Sequence, residues 1–217
     1  ILKKKKKGTY IILKAENFEN SGTEMRELHG ITLVQESNKQ VTTFNSLSNI
    51  VTENKELSTQ AKIDLILANT TCKYTQSNTI VAALNGQVIG VGAGQQSRVD
   101  CMKLVKRKAL NWYARQHPKC IEYLYSLKSM TNQERINNVM KCVEEYPFIH
   151  EEKLTNVAIA SDAFIPFTDN IDVANEFGCR YIIQPGGSVA DNDIIRECDK
   201  QKIVQCISGK NMRMFLH

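Results

Sequence analysis

Five short stretches hold most of the side chains whose types and spacing could do chemistry. "KYTQSN" (Lys73–Asn78) packs polar groups into the entrance of an apolar run. "GVGAGQQSR" sets glycines at 90, 92 and 94 before Gln95, Gln96, Ser97 and Arg98. "SDAFIPFTDN" (Ser161–Asn170) joins two aromatic rings and a rigid proline to two short polar groups, Asp169 and Asn170, just before a helix. Phe164 there offers a face for a planar ring, and the Asp169 carboxylate can accept a pair of N–H bonds. Equally, Asp169 could cap a helix while the phenylalanines fill a core. "QPGGSVAD" places two glycines and Ser188 where either amide recognition or an ordinary strand-to-helix turn would put them. "MRMFLH" carries Arg213, Phe215 and His217 on alternate positions, which share one side if the segment is a strand and fray if it is a free terminus.

The glycine stretch is not a dinucleotide fingerprint, since its spacing is G-x-G-x-G and no acidic residue follows at the right separation. Nor is it a P-loop. What it offers is backbone able to approach a neighbour closely, next to unpaired N–H groups at a helix start. A ligand site and a tight structural turn both satisfy that description.

The elements that must carry these stretches can be read from patterning. Gly8–Lys14 and Ile31–Glu36 read as strands separated by a polar stretch. Residues 57–70 read as a buried helix with Ser58 as its N-cap. "TIVAAL" and "QVIGVG" flank Asn85-Gly86, the strongest short hairpin signal. Ser97 then opens a helix to about Ala114, with Val99, Met102, Val105 and Leu110 as apolar candidates for its inner face. Residues 116–153 are polar and partly helical, with the character of an insertion. Beyond them strand and helix alternate: "VAIA", a helix over 171–177, "YIIQ", a helix over 189–198, "KIVQCI", and the extended terminus. Such alternation predicts an α/β layer with parallel strands, whose ligands bind outside the strands' carboxyl ends. That rule points to three places, "GAGQQSR", "SDAFIPFTDN" and "QPGGSVADN".

Composition sets the outer bounds. A chain of 217 residues, 42% hydrophobic and 24% charged, supports a folded core. No stretch reaches the roughly 18 apolar residues of a membrane span, and no signal peptide opens the chain, so the expectation is a cytoplasmic protein with no membrane partner. Seven scattered cysteines without a Cys-x-x-Cys pair disfavour a disulfide framework and a zinc site, leaving free buried thiols. Lys3–Lys7 supply much of the +5 net charge. Residues 1–8 read as a basic linker or the remnant of a tag, with no nucleic-acid partner expected, because no arginine-and-aromatic surface accompanies the lysines.

Taken together and in this order, the five stretches resemble the AICAR transformylase part of the bifunctional purine-biosynthesis enzyme that also carries IMP cyclohydrolase. The resemblance rests on "KYTQSN", "NGQVIGVGAGQQSR", "SDAF-PF-DN", "QPGGS-AD" and a terminal "R-F-H". It makes residues 9–217 the C-terminal part of the transformylase and implies cytidine-deaminase-like α/β layers, a mixed sheet flanked by helices. The implied reaction moves a formyl group from 10-formyltetrahydrofolate, the co-substrate, to the 5-amino group of AICAR. The deaminase zinc signature is absent from the chain, so no zinc chemistry is expected.

The resemblance assigns Asn78 to catalysis and Gln96, Ser97, Arg98, Arg213, Phe215 and His217 to the substrate. It assigns Phe164, Asp169, Asn170 and Ser188 to the folate, and Thr75, Ser77 and Asp162 to a possible potassium ion. It further implies a homodimer with shared active sites. One departure bears on activity: the family's catalytic Lys-His run has no counterpart, since no Lys-His dipeptide occurs here. The chain alone is therefore expected to be nearly inactive, and a binding module that kept the pocket without catalysis is the alternative.

Overall fold

The structure is a computed structural model that describes residues 22–127, 130–145 and 154–209. The lysine run, the expected strand over 8–14 and the terminal Arg213, Phe215 and His217 lie outside the described residues. The chain divides into two compact units, residues 1–39 and 40–217.

In the first unit, β1 (Thr23–Leu28) and β2 (Ile31–Glu36) form an antiparallel hairpin. The second strand is where the sequence puts it. The first occupies what reads as a polar connector, because "TEMREL" carries only Met25 and Leu28 as apolar residues. His29 and Gly30 both take positive φ, 51° and 76°, so they turn the chain as an Asn-Gly pair would.

The second unit is a five-stranded mixed sheet between helical layers. Its strands are β3 (Thr79–Leu84), β4 (Gln87–Ala93), β5 (Val157–Ser161), β6 (Cys179–Gln184) and β7 (Val204–Ile207), in the order β4-β3-β5-β6-β7. β3 runs antiparallel to both its neighbours, whereas β5, β6 and β7 are mutually parallel. The carboxyl ends of β4, β5, β6 and β7 therefore share one edge with the start of β3.

Alternation along the strands sorts side chains to the two faces. Val81, Ala83, Ala158, Ala160 and Ile183 pack with Leu65, Ala68 and Cys72 of α1 (Thr59–Lys73). Ile80, Ala82, Val157, Ile159 and Ile182 meet the other layer. That layer is built from α2 (Arg98–Ala114), α5 (Asp169–Glu176) and α6 (Asp191–Lys200), through Met102, Val105, Ile171, Phe177 and Ile194. Between α2 and β5, α3 (Pro118–Ser126) and α4 (Asn132–Glu145) supply the helical content expected of residues 116–153. Cys120 and Val139 of these two helices are buried.

Both expected caps form: Ser58 Oγ accepts from Ala61 N and Ser97 Oγ from Asp100 N. Asn85 and Gly86 turn the β3–β4 hairpin at φ 53° and 76°. A buried carboxylate fastens that turn to α1, for Asp64 accepts from Asn85 N at 2.9 Å, Gly86 N at 2.6 Å and Gln60 Nε2 at 3.0 Å.

The two edges of the sheet differ. At β7, the segment 49–51 lies alongside, with Val51 N donating to Gln205 O and Ile207 N to Asn49 O. At β4, the Lys108 ammonium donates to Val91 O at 2.6 Å. Cys72, Cys101, Cys179, Cys198 and Cys206 are free and buried, as expected. Cys120 departs from that expectation and is disulfide-bonded.

Candidate functional site

The glycines at 90 and 92 serve packing. A methyl group on Gly92 would stand 2.2 Å from the Cys101 carbonyl oxygen, and one on Gly90 3.0 Å from that of Val105. Their lack of a side chain lets α2 lie directly on β4. This close approach fixes where α2 begins, and so where Gln96, Ser97 and Arg98 emerge.

They emerge at the edge shared by the strand ends, where a cavity of about 510 Å³ opens. Asn78, Gln96, Ser97, Arg98 and Val99 line one side; Ala163, Phe164, Pro166, Phe167, Asp169 and Asn170 line the other. Seven of the residues singled out from sequence thus meet in one place, drawn from segments up to 92 positions apart. The topology explains this: reversing β3 brings Asn78, which precedes that strand, to the same edge as residues that follow β4 and β5.

Phe164 is half-buried at the wall, and Ile165 beside it takes the core position. Asp169 is the first residue of α5, not its cap; Thr168 holds the cap position without a side-chain bond. Asn170 Nδ2 donates to Asp169 Oδ1 at 2.8 Å and to Phe167 O at 3.1 Å. Its Oδ1 is buried without a partner, although the residue lines the cavity. A buried unpaired acceptor is costly unless something donates to it, so this wall is suited to a ligand N–H. Ser97 lines the cavity too, but its hydroxyl is occupied in capping α2 and in donating to Asp100 Oδ2 at 2.6 Å.

Arg98 is the hub. Its side chain is 8% exposed and its partner Asp162 1%. Nη1 donates to Asp162 Oδ1, to Ser161 Oγ at 3.0 Å and to Thr79 O at 3.4 Å; Nη2 donates to Asn78 Oδ1 at 3.1 Å. Asn78 Nδ2 in turn donates to Gln95 O at 3.1 Å and to Gln96 O at 3.4 Å. Burial alone would push the Asp162 carboxyl up, but the Arg98 charge and the bonds from Ser77, Arg98 and Thr79 N hold it below the ordinary carboxylate value.

Ser188 is not among the cavity's lining residues. Its Oγ accepts from Ala190 N at 3.1 Å, and Gly187 N donates to Asp191 Oδ2 at 2.8 Å, which fits the strand-to-helix turn of its two readings. Thr75, Ser77 and Asp162 are all engaged with protein partners. Thr75 Oγ1 donates to Thr71 O at 2.6 Å and Ser77 Oγ to Asp162 Oδ2 at 2.5 Å, while Asp162 Oδ1 accepts from Thr79 N and Arg98. The guanidinium pairs with the only charged member of the trio.

Sequence reasoning missed three supports of the site. Ser161 accepts from Arg98 and donates to Ala163 O, Thr79 ties Asp162 to β3, and Gln184 Oε1 accepts from Ile165 N at 2.8 Å, holding the cavity wall to β6. Ser161 and Gln184 open two of the stretches singled out above and Thr79 follows a third, but their roles as strand-end supports appear only in the sheet's pairing.

The family model described as AICARFT/IMPCHase bienzyme matches residues 1–108. The bifunctional purine biosynthesis protein PurH of Chlorobium chlorochromatii (strain CaD3) is 33% identical over 214 residues, covering 98% of this chain and 33% of that protein. The chain belongs to the AICARFT/IMPCHase bienzyme family. PurH of Chlorobium phaeobacteroides (strain BS1) is 32% identical over 213 residues, and that of Persephonella marina (strain DSM 14350 / EX-H1) 30% over 214. Each of these is again covered to 33% by this chain, which spans about a third of the relatives it matches. The family's similarity runs beyond residue 108, through the α/β layer that carries Phe164 and Asp169. Among the described residues, no helix is long and apolar enough to cross a membrane.

Proposed function

We propose that this chain contributes the substrate and folate pocket of an AICAR transformylase in purine biosynthesis, the C-terminal part of a bienzyme that moves formyl from 10-formyltetrahydrofolate to AICAR. The observation that carries this reading is the meeting of Asn78, Gln96, Arg98, Phe164, Asp169 and Asn170 around one cavity, on a chain whose relatives are bifunctional purine biosynthesis proteins.

The accepting amine is aromatic and conjugated, hence a poor nucleophile. Transfer needs its deprotonation and a donor for the tetrahedral oxyanion. In this reading Phe164 stacks on the pterin ring, Asp169 accepts its N–H pair, and the unpartnered Asn170 Oδ1 takes a further N–H. The Asn78 amide lies beside the formyl group and holds the intermediate. The proton acceptor comes from the Lys-His run of the family pattern, which these 217 residues lack. A dimer with shared sites belongs to the same proposal.

The test is calorimetric titration of the chain with a folate analogue and, separately, with AICAR, alongside a formyl-transfer assay. Binding of both without turnover is the expected result. Turnover by the chain alone would overturn the missing-base part, and no binding of either ligand would sink the pocket assignment. Binding of both that stays without turnover when the rest of the bienzyme is supplied would favour a non-catalytic module.

A further inference from the structure

We propose that Asp162 is a positioning residue that acts through Arg98 to hold the Asn78 amide, and that the Arg98 guanidinium stands against its carboxylate where a cation ligand set would need open oxygens. The proposal rests on the pocket reading above for its functional consequence. Its geometry stands alone.

Asp162 follows β5, Arg98 begins α2 and Asn78 precedes β3, so the relay ties three segments at one edge of the sheet. The carboxylate is closed in by Ser77 Oγ, Thr79 N and Arg98, and it is 1% exposed. On the guanidinium, Nη1 goes to the scaffold: Thr79 O, Ser161 Oγ and Asp162. Nη2 is directed to Asn78 Oδ1. That division has a chemical consequence. A cation on Oδ1 fixes which end of the amide is oxygen and polarises the Nδ2 hydrogens, which makes them better donors; in this ligand-free arrangement they go to Gln95 O at 3.1 Å and Gln96 O at 3.4 Å. An arginine spent in this way is anchored from behind by its carboxylate. Without that anchor, Nη1 keeps only its neutral partners Thr79 O and Ser161 Oγ, so the fork and the amide it holds are less firmly placed. Lysine cannot replace it, because a single ammonium cannot serve the scaffold and the amide in the fixed geometry of a planar fork.

The test is a double-mutant cycle on the full chain, read by calorimetric affinity for AICAR and for a folate analogue, in potassium buffer and in N-methylglucamine buffer without potassium. D162N should weaken binding about tenfold, the effect of losing one charge-assisted hydrogen bond. In an N78A background the same substitution should cost less than about twofold more, because both act on one amide. R98K keeps the charge and should behave like D162N, which supplies the measurement if D162N does not fold. Wild-type affinity should be the same in both buffers. Additive losses in the double mutant, or affinity that collapses without potassium, would overturn the proposal. If the wild-type chain binds neither ligand, the pocket reading fails, and the relay is then judged by NMR of the ligand-free protein. D162N, or R98K in its place, must shift and broaden the Asn78 side-chain amide signals, and unchanged signals refute it.

Discussion

Replacing Gly92 with alanine tests whether β4 and α2 are held by backbone proximity. The new methyl would lie 2.2 Å from the Cys101 carbonyl oxygen, short by 1.2 Å of ordinary contact at 3.4 Å. The opposing atom is helix backbone, so no rotamer change can relieve the clash. The helix must move, in a layer where Cys101, Met102 and Val105 are fully buried. Overpacking of this kind costs about 3 kcal/mol, the upper part of its usual range. With a urea dependence of about 2 kcal/mol per molar, the unfolding midpoint falls by roughly 1.5 M. Gly86→Ala is the control, since nothing lies within 4 Å of its added methyl and only the positive φ of 76° is strained; it should cost about 1–2 kcal/mol. Displacing α2 also displaces Arg98, so Gly92→Ala should weaken binding in the cavity, whereas Gly86→Ala, at the far edge of the sheet, should leave it unchanged. A Gly92→Ala midpoint that falls no further than that of Gly86→Ala would refute the close-approach argument.

Other expectations follow from single contacts. Asp64→Asn turns one acceptor of the hairpin N–H groups into a donor, and should lower unfolding stability by about 2–4 kcal/mol by chemical denaturation while leaving cavity affinity intact. Ser97→Ala removes the cap of α2 and should cost about 1 kcal/mol, with a small loss of affinity through Arg98. Burial raises the Cys198 thiol from 9.0 to about 12 and the Cys206 thiol from 9.0 to about 11. A thiol raised on folding stabilises the protein fully below the unfolded value, so urea midpoints should fall as pH climbs from 9 toward 12. Asp162 is shifted the other way: its contribution is present above 3.8 and is lost as pH falls through its lower folded value, and D162N should flatten that acid limb.

What could be read in the sequence was local. Asn85-Gly86, Ser58 and Ser97 each announce a turn or cap through their own backbone chemistry, and the structure uses all three. The alternation after residue 156 gave parallel strands for the same reason, since a helix between strands returns the chain in the same direction. The β1–β2 hairpin was hidden because its turn is His-Gly and its first strand is mostly polar. The Asp162–Arg98–Asn78 relay could not be seen at all, because its members are 20 and 64 positions apart and meet only through the reversed β3. Polar residues in a loop show that something could bind; they do not show which of them are spent on one another.

The contrast between the two edges of the sheet bears on how this protein avoids assembling wrongly. An edge strand with unpaired backbone groups is a template on which another chain can polymerise. At β7 the segment 49–51 occupies that template, so growth there would first require the molecule's own backbone to be stripped away. At β4 no strand covers the edge among the described residues, and an incoming strand would have to dislodge the Lys108 ammonium from the Val91 carbonyl and leave a charge beside the new pairing. Loss of that one lysine would therefore expose a seed for fibrous aggregation on a fold whose stability it barely touches.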